Sequence, residues 1–93
     1  MRLNAIERDV VQQVLSGGPA GPLWLFGSRA DDSRRGGDID LYWEPNQPVT
    51  LRQAITLEYR LSAGCGCKVD LLIRNPGQTE QPIHAIAKQG VPL

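Results

Sequence analysis

The 93-residue sequence holds one histidine, one methionine, one phenylalanine and two cysteines, and neither sign of charge predominates, with ten Lys and Arg against ten Asp and Glu. Each scarcity removes a class of function. With His84 alone there is no His-Glu-x-x-His zinc helix, and no spacing supports a Ser-His-Asp triad through Ser28. Cys65 and Cys67 are separated only by Gly66, too tight for an ordinary disulfide and two ligands short of a structural zinc site, so both are expected as free thiols. Neither Gly-x-x-x-x-Gly-Lys-Ser/Thr nor Gly-x-Gly-x-x-Gly occurs, which removes P-loop and Rossmann readings. A net charge of zero lacks the basic excess of a protein that grips a nucleic-acid backbone, so no direct nucleic-acid binding is expected. No apolar run approaches the roughly 20 residues that span a bilayer. The N-terminus, with Arg2, Glu7, Arg8 and Asp9, is too charged for a signal peptide. No membrane contact is expected, and the expected compartment is the cytoplasm.

What remains is an ordinary folding composition, 41% hydrophobic and 22% charged, in a length that makes one domain over residues 1–93. Leu3, Ile6, Val10 and Val14 recur at helical spacing, widened by Val11 and Leu15, with Glu7, Arg8, Gln12 and Gln13 on the other face. Asn4 and Glu7 form a capping-box pair, and Gly17-Gly18-Pro19 stops the helix. Leu23 to Phe26 reads as a buried strand ending at Gly27. Ser28 can cap a short helical turn through Arg29, Ala30 and Asp31, whose free N–H groups make an anion site.

A polar loop follows over Asp32 to Gly37, in which Arg34 and Arg35 either meet nucleotide phosphates or are simply solvated, the second being the favoured reading. The second strand covers Asp38 to Trp43 and is broken by Pro45 and Pro48. Thr50 caps a second helix with Leu51, Ile55 and Tyr59 on one ridge and Ala54, Leu57 and Leu61 beside it. A third strand runs from Lys68 to Ile73, and a short helix holds Ile83, Ala85, Ile86 and Ala87 before Gly90, with His84 a surface or packing residue. The expectation is an α/β (α+β) fold: a small mixed β-sheet with helices packed on one side.

The chemistry concentrates in three acids. Asp38 and Asp40 alternate with Ile39 and Leu41, so on a strand both carboxylates share one face, roughly 6 to 7 Å apart. Like charges at that distance repel by roughly 3 kcal/mol at an effective dielectric near 20. Such a pair either is screened by water or holds a cation. Asp70 is a poor strand former set in the apolar run Val69 to Ile73, and it needs a partner or a cleft. Hard divalent cations such as Mg²⁺ take oxygen ligands from a few carboxylates together with substrate phosphates.

Gly27-Ser28-Arg29-Ala30, then Gly37-Asp38-Ile39-Asp40-Leu41, then Lys68-Val69-Asp70-Leu71 resemble the signature of the minimal nucleotidyltransferases, small members of the DNA polymerase β-like superfamily. The chain departs from that pattern in a slightly shorter loop between Ser28 and Asp38, and in Gly37 where many members carry Ser. The resemblance implies the polymerase β-like core. It also implies that Asp38, Asp40 and Asp70 hold two Mg²⁺ ions and carry catalysis, Asp70 helping to deprotonate an incoming hydroxyl. Gly27 and Ser28 would receive the β- and γ-phosphates of a nucleoside triphosphate, most naturally ATP, with charge added by Arg29 or Lys68. Members of this size often act as antitoxins, adenylylating a tyrosine of a helical HEPN-type toxin partner. Two other readings stay open: a catalytically silent module that neutralises or scaffolds a partner by contact, and a nucleotidyltransferase for a small molecule.

Overall fold

Local sequence decides where each element starts. In a computed structural model describing residues 3–30 and 37–93, Asn4 caps helix α1 (Ala5–Ser16): its side chain accepts from the Glu7 N–H, and Glu7 accepts from the Asn4 N–H, at 2.8 and 2.9 Å. Thr50 and Gln53 repeat the device at the start of α2 (Leu51–Cys65). Such reciprocal caps satisfy donors that the first helical turn leaves unpaired, each worth about 1 kcal/mol.

The described residues form three helices and four strands. Strand β1 (Leu23–Phe26) leads through a 3₁₀ turn (Gly27–Ala30) towards β2 (Ile39–Trp43); α2 then leads to β3 (Val69–Ile73), and the short helix α3 (Pro82–Ala87) to β4 (Val91–Pro92). The sheet order is β3-β2-β1-β4. β1 is antiparallel to both β2 and β4, whereas β2 and β3 run parallel, in a register that sets Asp40 opposite Asp70. The fold is therefore a mixed α+β sheet with helices packed against it, as the alternation of elements predicts.

Side-chain alternation gives the sheet two unlike faces. Leu25, Ile39, Leu41 and Val69 point to one side and pack with Leu3, Val11, Val14 and Leu61 of α1 and α2 into the core. Each such side chain contributes roughly 1.5 to 3 kcal/mol by leaving water. The two helices come close because position 64 is glycine: a β-carbon there would stand 2.6 Å from Val10 Cγ1.

The other face carries Trp24, Asp40, Tyr42 and Asp70. Here α3 lies across the sheet, with His84 stacked on Tyr42 at 5.3 Å and Tyr42 on Trp24 at 5.4 Å. Thus the two long helices share one side as expected, and the short third belongs to the other. His84 is a packing residue, 3% exposed, and its Nδ1 accepts from the Gln81 N–H. At the rim of this stack Lys88 and Arg74 bridge Glu44 and Glu80. Burial first, then the hydrogen bond to Glu44, pushes the Tyr42 phenol up to about 12.

Both long helices differ from their expected facing. Ile6 is 70% exposed, and Glu7, expected on the polar side of α1, is buried. On α2 it is Leu61 that enters the core, while Leu51, Ile55 and Tyr59 stay in water. Helical spacing names two stripes on each helix, and tertiary partners choose between them. At the open edge of the sheet α2 also serves β3 directly: the Val69 N–H donates to Ser62 Oγ at 2.9 Å and the Leu71 N–H to Glu58 Oε2 at 2.8 Å.

Candidate functional site

Two acids stand on the sheet face opposite α1 and α2, and a third precedes them at the start of β2. Asp40, the second residue of β2, faces Asp70 across the parallel pair, and Asp38 sits exposed at the bend two residues before Asp40. Burial first, then the negative charge of Asp70, a hydrogen bond shared with Asp70 and the charge of Asp38 together raise the Asp40 carboxyl above its ordinary range. Lys68 works the other way. Its Nζ lies 3.8 Å from Asp70 Oδ1, but the ammonium end is largely in water, so it screens the acids only weakly.

Gly27 completes the front of the site. Its φ of +75° is a left-handed conformation that glycine adopts without strain. A β-carbon at this position would overlap Asp40 Oδ2 and stand 3.2 Å from its Cγ. The corner after β1 therefore leans its bare backbone on the Asp40 carboxylate. Residues 27–30 then wind into the single 3₁₀ turn.

That turn is held from beneath. Arg29, 8% exposed, donates to both carboxylate oxygens of Glu7 at 2.8 and 2.9 Å, and its Nε donates to the Gly37 carbonyl at 3.1 Å. The hydrogen bonds from Arg29 hold the Glu7 carboxyl below its usual range, and Glu7 in return raises the guanidinium further. One side chain thus ties the glycine corner to α1 and to the residue preceding Asp38.

Of the residues singled out from sequence, Asp40 and Asp70 share a face, with Asp38 at the bend before β2, Gly27 against Asp40 and Lys68 beside Asp70. Arg29 does not join them; its donors turn inward to Glu7 and Gly37. Asp31, Arg34, Arg35 and the Ser28 side chain lie outside the described residues. Glu7 is the supporting residue that sequence reasoning missed. Its capping partner Asn4 was legible, whereas an ion pair spanning 22 positions left no local trace.

Among the described residues no three His, Cys, Asp or Glu side chains already gather as a metal cage. The arrangement is a facing pair with a third acid at its border. Even so, the pair fits a divalent cation chemically: burial first and then the charge of Asp70 raise the Asp40 carboxyl, and a hard cation between the two carboxylates would offset both by favouring the ionised forms. Two hollows, of about 480 and 460 Å³, lie on the helical side, one bordered by Leu3, Val11, Leu23 and Leu93 and the other between the end of α1 and the start of α2. No protein-family model and no curated protein matches this chain.

Proposed function

We propose that the chain is a metal-dependent nucleotidyltransferase that moves AMP from ATP to a hydroxyl acceptor with release of pyrophosphate. The observation that carries this reading is the pairing of Asp40 with Asp70 beside a glycine corner whose backbone touches Asp40. Asp38, Asp40 and Asp70 would hold Mg²⁺, which when bound supplies charge neutralisation at the attacking and leaving oxygens of an in-line displacement. Gly27 and Ser28 open a tight turn whose backbone N–H groups suit the β- and γ-phosphates. Asp70, with its side chain about half exposed, is within reach of an acceptor hydroxyl and would take its proton. Arg29 and Glu7 hold the turn in register with the acids.

The acceptor in this reading is a tyrosine of a HEPN-type partner protein, the chain acting as the antitoxin of the pair. Its support is the motif resemblance together with the half-exposed side chain of Asp70. A second reading, a silent module that neutralises its partner by contact, is favoured by one observation: the guanidinium of Arg29 is committed to Glu7. Incubation with ATP labelled at the α-phosphate, Mg²⁺ and the product of the neighbouring gene separates the two. Label on the partner that disappears in Asp38→Asn and Asp70→Asn supports the transferase. A tight complex that carries no label and is indifferent to those substitutions supports the binder.

A further inference from the structure

Helix α2 presents to water what a soluble helix ordinarily hides. Leu51, Ile55 and Tyr59 are 78%, 62% and 72% exposed. Spaced four residues apart, they form a ridge roughly 12 Å long. Lone exposed apolar side chains are unremarkable, but three in line on one helix make a contiguous patch, the usual mark of a contact surface.

The charges around the ridge are one-sided. Arg52 and Arg60 of α2 border the hollow of about 460 Å³ between this helix and the end of α1, and among the described residues no acidic one lines it. Thr56 and Gln53 add neutral hydrogen-bonding groups to the same wall. On the opposite flank Glu58 is already bonded to the Leu71 N–H. In a chain of zero net charge, this side of α2 is a local positive site next to apolar surface.

We propose that this face docks an amphipathic helix of a partner protein, with its apolar stripe on Leu51, Ile55 and Tyr59 and its acidic side chains in the hollow beside Arg52 and Arg60. A ridge of residues four apart fits the groove between the equivalent rows of another helix. Tyr59 is of the type that anchors such contacts. Charge complementarity selects acidic neighbours for the stripe and sets its orientation. A lipid surface fits less well: helices that lie on bilayers carry basic residues along a whole polar face, whereas here the arginines stand on one side and line a concavity that a flat surface does not fill. The acids of the candidate site lie across the sheet, so this proposal is independent of the chemistry assigned to Asp40 and Asp70.

The test uses the whole chain and two synthetic amphipathic peptides with the same Leu stripe, one flanked by Glu and the other by Lys. Binding is read by fluorescence anisotropy and by amide chemical shifts. The expected result is saturable binding of the Glu peptide at micromolar concentration, with shifts confined to α2 and the end of α1. Affinity should fall at least tenfold in Tyr59→Ala, and in the double variant R52E/R60E preference should pass to the Lys peptide. Because the substituted side chains are exposed, circular dichroism should be unchanged. Equal binding of both peptides, no binding of the Glu peptide, or shifts at the hollow near Leu23 and Leu93 would overturn the proposal. So would adsorption to phosphatidylserine vesicles that R52E/R60E abolishes.

Discussion

The Asp40 carboxylate fills the space that a β-carbon at Gly27 would need. Gly27→Ala should therefore act twice, straining a backbone at positive φ and displacing an acid on the adjacent strand. A loss of about 1 to 3 kcal/mol is expected, the range of overpacking penalties. Chemical denaturation measures it, and Ala at the exposed Gly37, where a β-carbon meets no atom of the described residues within 4 Å, is the control that should stay near zero.

The burial of Asp40, reinforced by the charge of Asp70, makes a pH prediction of definite sign. Asp40 titrates above its ordinary range in the folded chain, so folding takes up protons, and stability falls as pH rises from the ordinary carboxylate range through the raised value. Asp40→Asn should stabilise the protein at neutral pH by on the order of 1 kcal/mol, the scale of a partly screened contact between like charges. The gain should disappear in acid, where Asp40 is protonated in folded and unfolded chains alike. Thermal melts of both proteins across that range decide it.

Mg²⁺ should reproduce that stabilisation in the native protein. Titration with MgCl₂ at neutral pH should raise the melting temperature by a few degrees once the ion is in large excess over its dissociation constant. The rise should be absent in Asp70→Asn and in Asp38→Asn. An equal rise in all three proteins would assign the effect to ionic strength rather than to the acids.

Glu7 and Arg29 behave in the opposite direction. The Glu7 carboxyl titrates below its ordinary range, so its contribution is present above the unfolded value and is lost as pH falls through the folded one. Glu7→Gln leaves a buried guanidinium without its counter-charge and should cost roughly 3 to 5 kcal/mol, a large part of the stability of a domain this small. Replacing both partners, as in E7L/R29M, should recover most of that loss. Recovery of stability without recovery of Mg²⁺ protection would separate holding the glycine corner in place from holding the fold together.

Much of this was readable in the chain. The capping pairs Asn4 with Glu7 and Thr50 with Gln53 act over three residues, so sequence reveals them wherever they occur. The strand bearing Asp40 announces itself by alternation and the strand bearing Asp70 by its apolar run. Relationships over long separations stayed hidden. Glu7 reads as a surface residue until Arg29 is seen to need it, and that partnership rotates α1 so that Ile6 is turned outward. Tyr59 and Ile55 fit the core stripe of α2 as well as Leu57 and Leu61 do, and contact with Val10 at Gly64 decides between them. The two-residue β4 carries no pattern of its own and exists through its register with Leu25 and Trp24.

The side chains of Ser62 and Glu58 have an effect beyond their own helix. A sheet whose outermost strand has bare donors can be lengthened by any extended segment that drifts against it, and fibrils grow in this way. Here two of the donors on the β3 margin are engaged from α2, and the far margin ends in Pro92, which has no N–H to give. Neighbouring molecules are thereby discouraged from zipping on strand by strand, and crowding alone gives this sheet little to polymerise through.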